Sequence, residues 1–299
     1  MKCYLLLLSI TILLISGCNN RSLDFKESQN IEIPYISEQE ENDTLFQSME
    51  SSDEPTFSPE ANISSNCNDS VHSANIINES TVYSNNKEIT IVIDPGHSGV
   101  KTNIRDPIGP GSNELKAGDS GGTKGVYSGR YEYELNLEVS QKLREELINR
   151  GYQVLLTRDD NETPLSNVER ATIANNVNAD AFIRIHANGS EDRSVRGAMC
   201  VIITPSNIYN STIYSSSRQL AEFVLDSFIA STGAKSKGIW ETDSMTGSNW
   251  SKVPVIIMEL GFMSNKEEDK QLNSVEYQEL MVVGISNGID LFFNSKNDK

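Results

Sequence analysis

Histidine and cysteine are scarce in this chain: three and four among 299 residues. Four thiols with no CxxC pair and no regular spacing argue against a disulfide framework. Basic side chains are also under-represented, 25 against 42 acids, for a net charge of −17. That deficit excludes a nucleic-acid binder, because phosphate recognition rests on Lys and Arg. Long apolar runs are missing too. The run at residues 4–17 has fourteen residues, short of the roughly 20 that cross a bilayer. Between residues 19 and 86 there is no glycine at all. That block holds 13 acids, 2 bases and 24 Ser or Asn, with apolar residues in no sustained period of 2 or 3.6. It has no face to bury and reads as a disordered tether.

What remains is organised around those gaps. The apolar run follows Lys2 and ends Ile15-Ser16-Gly17-Cys18, which resembles the bacterial lipobox. The resemblance implies a signal peptide over 1–17, cleavage before Cys18 and acylation of its thiol. A lipidated Cys18 and acidic tether then occupy 18–86, and the folded domain fills 87–299. The protein is thus expected to be exported and lipid-anchored to the outer face of the cytoplasmic membrane, with its folded part in the cell-wall space. As a coil the tether averages roughly 45 Å end to end, and fully stretched about 220 Å. Its acidity would repel anionic lipid, so anchorage rests on the acyl chains. Cys3 leaves with the signal, and pairing of Cys67 with Cys200 stays open.

In the last 213 residues the periodicity is regular. Ile89–Ile93 is a continuous apolar run ending in Asp94-Pro95-Gly96, a buried strand and turn. Apolar positions 135, 139, 143 and 147 mark a helix over 134–150, stopped by Gly151. Further strands are expected at 152–156, 181–185, 197–204 and 253–258, and helices at 166–176 and 214–230. A loop is expected over 233–251. A final helix runs to 293, opened by a capping box at Asn273-Ser-Val-Glu276. Strands alternating with helices predict a single three-layer α/β domain, a mostly parallel twisted sheet with helices on both faces.

His72 falls in the tether. His97 and His186 each follow a predicted buried strand, in IVIDPGH97 and AFIRIH186. The carboxyl edge of such a sheet is where ligands bind, so the two imidazoles could share a metal. A catalytic site usually has three protein ligands, and the segment Glu132-Tyr133-Glu134 offers a carboxylate. Glu259, at the end of the apolar run from Val253, is a second acid at that edge that must be paired, solvated or functional.

The ordered set IVIDPGH97, Glu132, LLTR158, Arg170, IRIH186AN188 and PVIIME259LGFMSN265 resembles the zinc-dependent N-acetylmuramoyl-L-alanine amidases of the type-3 family, over residues 89–293. The resemblance implies one Zn2+ held by His97, Glu132 and His186, with Glu259 as the catalytic glutamate. It implies peptidoglycan as the substrate, cut between N-acetylmuramic acid and the L-alanine of its stem. Tyr133 departs from the family's usual central base. Asp94, Asn188, Arg184 and Glu241 are candidates to position the ligands or the substrate, Arg184 standing where a serine is commoner. The 98–131 connection, far longer than the usual 2–6 residues, resembles a clostridia-like subgroup and is expected to line or cover the groove. No motif names a partner from the division or sporulation machinery. A non-catalytic wall-binding lipoprotein and a zinc peptidase acting within the stem remain alternative readings.

Overall fold

In the computed structural model, strands β1 (Thr90–Pro95), β4 (Gln153–Leu156), β5 (Ala181–Asn188) and β8 (Val255–Phe262) form a parallel block of a six-stranded sheet, with β4 at its edge. The described residues are 87–297. The signal, Cys18, Cys67 and the tether lie outside them. The sheet order is β4-β1-β5-β8-β6-β7, where β6 is Ala198–Ile202 and β7 is Ser236–Glu241. β6 lies antiparallel to β8 and β7 parallel to β6, so four of the five pairings are parallel. Among the described residues no helix is long and apolar enough to cross a membrane.

β1, β5 and β8 open on buried apolar runs because both of their faces are covered there. On one side lie α1 (Glu132–Asn149), α3 (Tyr214–Thr232) and α6 (Val275–Asn297). Leu135, Val139, Leu143 and Leu147 of α1 are fully buried there against Ile91, Ile93, Ile183 and Ile185, each contributing about 1.5–3 kcal/mol. On the other side α2 (Asn167–Asn176) packs Ala171 and Ala174 over Val92, Phe182 and Val255. α4 (Thr246–Trp250) lies against α2. This is the three-layer α/β arrangement that the alternation of elements predicts.

Several elements differ from expectation, and each has a physical reason. The presumed loop 233–251 contains β7 and α4. β7 is an edge strand with Gly238 at φ 79° and no clean alternation, and α4 is only five residues long. α5 (Lys266–Leu272) buries just Asp269 and Leu272, too little to leave an apolar period. The long connection holds a hairpin of β2 (Arg105–Pro107) and β3 (Leu115–Ala117). The last helix is capped one residue later than predicted: Ser274 Oγ accepts the Tyr277 N–H, while Asn273 donates back to Asp269. α1 starts two residues early, because Tyr131 takes the N-cap position and Glu134 Oε2 accepts its N–H.

α6 approaches α3 through Gly284 and Gly288. A Cβ on Gly284 would lie 2.8 Å from the Phe228 Cα, and one on Gly288 2.5 Å from the Phe223 carbonyl oxygen. Replacing a helical glycine usually adds up to about 1 kcal/mol of propensity, but overpacking a closed contact costs about 1–3 kcal/mol. Gly288→Val is therefore expected to destabilise the fold by at least 1 kcal/mol in urea denaturation. An unchanged midpoint would show that the two helices can move apart freely.

Candidate metal centre

Three side chains meet at the carboxyl edge of the sheet. His97 lies two residues beyond β1. His186 lies within β5, which runs on to Asn188 instead of ending at 185, and Glu132 opens α1. One ligand atom from each comes within 4.8 Å of the others. Glu132 Oε1 is 3.2 Å from both His97 Nε2 and His186 Nδ1. Ligands at zinc–nitrogen distances of 2.0–2.1 Å are separated by about 3.3 Å on a tetrahedron, so both separations of Glu132 from the imidazoles match a metal's ligand spacing. His186 Nε2 and Glu259 Oε2 are buried with no hydrogen-bond partner, the open valence that a cation or its bound water would satisfy. His, His and carboxylate are also the right donor chemistry for zinc.

Glu259 pairs with His186 across β5 and β8, so it emerges on the same face one strand away. Burial, reinforced by the Glu132 charge, pushes its carboxyl up to about 8. Glu132 is held well below the usual carboxylate range: burial alone would raise it, but His97 and His186 prevail. For His97 burial opposes protonation, and Glu132 and Asp119 outweigh it, lifting the imidazole to about 10. His186 is lowered, by burial first. His97 thus lies between the Asp119 and Glu132 carboxylates, a place that favours positive charge.

The backbone around these groups is closely fitted. His97 has φ 59°, a left-handed conformation that a non-glycine residue adopts only when its surroundings hold it there. Three buried arginines do so. Arg158 donates to the carbonyls of Pro95 and Gly96, and Arg170 to those of Pro95 and His97. Arg170 Nη1 and Arg184 Nε each lie 2.8 Å from an oxygen of the fully buried Asp94. Gly96 is required because a Cβ there would fall on the His186 ring.

Part of the long connection also belongs to the site. His97 Nδ1 lies 3.1 Å from Asp119 Oδ1 and 2.7 Å from the Ser120 carbonyl, which leaves Nε2 facing Glu132. The Thr123 N–H donates to Glu132 Oε2 at 2.8 Å, while Ala187 N–H and Asn136 Nδ2 donate to Oε1. Such contacts fix ring orientation and ligand basicity. The β2–β3 hairpin instead packs away from the ligands: Asn249 and Trp250 of α4 donate to its Ile108 and Pro107 carbonyls, and Asp106 accepts from Val168 of α2.

The structure therefore brings His97, Glu132, His186 and Glu259 together and leaves Glu134 as a helix cap. Asp94 and Arg184 lie beneath the site as a buried ion pair, with Arg184 also donating to Asn167. The Asn188 side chain accepts the Gly189 N–H, and its carbonyl accepts from Met263. Glu241 does not belong there. It is level with the start of β8, paired beside Ile202 on β7, and is bound by Tyr214 and Arg218. Its place in a Gly/Thr/Ser-rich stretch without periodicity hid the antiparallel turn of β6 that carries it away. Asp119 and Asn136 were missed. Asp119 sits in a loop without periodicity, and Asn136 shows only as a polar residue one turn after Glu132.

A two-histidine, one-carboxylate cluster with a spare carboxylate beside it is the side-chain set of a metal-assisted hydrolytic site. The chain belongs to the N-acetylmuramoyl-L-alanine amidase family, whose sequence profile matches residues 91–290. It is 28% identical over 201 residues to the amidase LytC of Bacillus subtilis, an alignment covering 67% of this chain and 34% of LytC. Among solved structures it resembles an N-acetylmuramoyl-L-alanine amidase of Clostridium difficile 630, with 28% identity and TM-score 0.58 over 70% of this chain and 98% of that one. It also resembles Ami1 of Mycobacterium smegmatis, with 25% identity and TM-score 0.65 over 71% and 99%.

Burial would raise the Asp94 carboxyl, but Arg170, Arg184 and Thr157 overcome that and hold it well below the usual range. A carboxyl depressed on folding contributes stability that is present above its unfolded pKa of about 3.9 and fades as the pH falls. Asp94→Asn, which strands two buried guanidinium groups, is expected to cost about 3–5 kcal/mol at neutral pH. Urea denaturation at pH 7 measures it, and a loss below 1 kcal/mol would mean the arginines are satisfied without the charge.

Proposed function

We propose that this protein is a peptidoglycan hydrolase that cleaves the amide between the lactyl group of N-acetylmuramic acid and the L-alanine of the stem peptide. The observation carrying this reading is the His97–Glu132–His186 cluster beside partnerless Glu259 Oε2, in a chain of the amidase family. His97, Glu132 and His186 would hold one Zn2+, which when bound supplies an acidified water and polarises the scissile carbonyl. Glu259 takes the proton of the attacking water and delivers it to the departing alanine nitrogen. That delivery is essential, because an amide nitrogen leaves poorly unless protonated. Asp119 and the Ser120 carbonyl keep the His97 ring turned so that Nε2 faces Glu132. Thr123, Ala187 and Asn136 hold the Glu132 carboxylate in place.

We further propose that the folded part works in the wall space, held by an acylated Cys18 on the tether. Metabolic labelling with an alkyne fatty acid should mark the full chain and not Cys18→Ser. Equal labelling of both would remove the anchor.

Peptidoglycan digested with and without chelator, read by mass spectrometry, tests the reaction. Release of stems with free L-Ala amino groups, lost on chelation and restored by zinc, is expected. Cleavage inside the stem would make it a peptidase, and no release a wall binder. Glu259→Gln should retain stoichiometric zinc while turnover falls at least about a hundredfold. His97→Ala should lose the zinc. Near wild-type turnover in the first variant, or full metal in the second, would refute the assigned roles.

A further inference from the structure

Between Thr123 and Glu132 the chain makes a short excursion rooted on the metal centre at both ends. Thr123 and Glu132 are joined by two hydrogen bonds, Glu132 N–H to the Thr123 carbonyl and Thr123 N–H to Glu132 Oε2. Lys124 and Tyr131 form the next antiparallel bridge, and Gly125 N–H bonds the Arg130 carbonyl. The tip then carries Val126 and Tyr127, 40% and 56% exposed. Tyr131 at its base is 43% exposed, stacks on Tyr133 at 5.4 Å and has Lys124 4.6 Å above its ring. Among the described residues, the Tyr127 ring has no aromatic or cationic partner.

This exposed tip is immobilised from below. Asp269, fully buried, accepts the N–H groups of Tyr127 and Ser128 at 2.6 and 2.8 Å and the Ser128 hydroxyl at 2.8 Å. Asn273 fixes the carboxylate in turn, and Val126 N–H bonds the Met263 carbonyl just after β8. A Cβ on Gly125 would strike Asp269 and Ser128, so the backbone must pass this close. A buried carboxylate thus fixes the backbone that carries a largely exposed aromatic ring. Rigid tyrosines contribute contact area at little entropic cost.

We propose that the 125–131 tip is a glycan-binding rim, with Tyr127 as the ring on which a pyranose face of the same strand rests while its stem lies over the metal. This rests on the reading of the substrate given above. Tyr127 is within about 18 Å of Glu132 along the chain, so its occupant is an adjoining part of the same polymer. The choice of sugar over stem follows from charge. The only charged side chain between residues 125 and 131, Arg130, is bound to Glu138 and to the Glu134 carbonyl. Lys124, just below the tip, lies over the Tyr131 ring. Val126 and Tyr127 at the tip itself are uncharged, and a neutral sugar ring suits a flat aromatic face and an aliphatic neighbour.

Glycan strands stripped of stems offer no bond to cleave, so their binding to the full chain reads the rim without turnover. Tyr127→Ala should weaken that binding about fivefold, and Tyr127→Phe should stay within twofold of wild type. On intact peptidoglycan the alanine variant should raise KM by a similar factor with kcat held, and on a muramyl tripeptide with a single sugar it should change neither. Absent binding of stem-free glycan by wild type, or equal binding by Tyr127→Ala, overturns the rim. So does an equal loss on the single-sugar substrate, or a loss of affinity for free stem peptide instead of glycan. If wild type releases no stems from peptidoglycan, the hydrolase reading fails, while the stem-free binding arm still decides the rim.

Discussion

The buried Asp94 carboxylate, shared by Arg170 and Arg184, is the contact on which the rest of the site depends. Asp94 is the next-to-last residue of β1, and the turn that follows must leave the sheet in a left-handed conformation at His97. Arg170 spans both tasks, binding Asp94 with one nitrogen and the Pro95 and His97 carbonyls as well. Arg158 adds the Gly96 carbonyl. Buried ion pairs add little net stability compared with a packed apolar core, but breaking one is expensive. Here the cluster serves geometry: it sets a histidine against Glu132 at the distance a metal's ligands require.

The long connection after β1 is divided between two tasks. Its first half, with the β2–β3 hairpin, closes over α2 and α4 on one side of the sheet. Its second half passes the ligands themselves, with Asp119 and Ser120 on His97 and Thr123 on Glu132. Gly122 makes that passage possible: at φ 70°, a Cβ there would lie 2.8 Å from Glu132 Oε2. What the sequence suggested as a groove lining or cover is, over residues 119–123, a support for the His97–Glu132–His186 cluster.

The net charge of −17 divides along the same lines. Residues 19–86 account for −11 and residues 87–299 for only −7, with +1 from residues 1–18. Within the folded part much of the acid is already engaged: Asp94 with arginines, Asp269 with backbone amides, Asp290 with Lys87 and Arg150, and Glu132 between the imidazoles.

The continuous apolar runs of β1, β5 and β8 and the four-residue spacing of α1 determined a helix-covered parallel sheet, because burial on both faces of a strand or one face of a helix leaves an unmistakable period. They also placed two histidines and Glu259 at one edge, since strand ends are local features. The family resemblance already favoured Glu132 over Glu134, which periodicity and spacing left open; the partnership of Asp119 with His97 and the removal of Glu241 from the site were decided only by tertiary structure. Each depends on contacts between segments tens of residues apart, or on the antiparallel turn of β6, and neither leaves a periodic trace. Short and edge elements such as β7, α4 and α5 were hidden for a related reason: they bury too few side chains to pattern the sequence, and packing against their neighbours is what defines them.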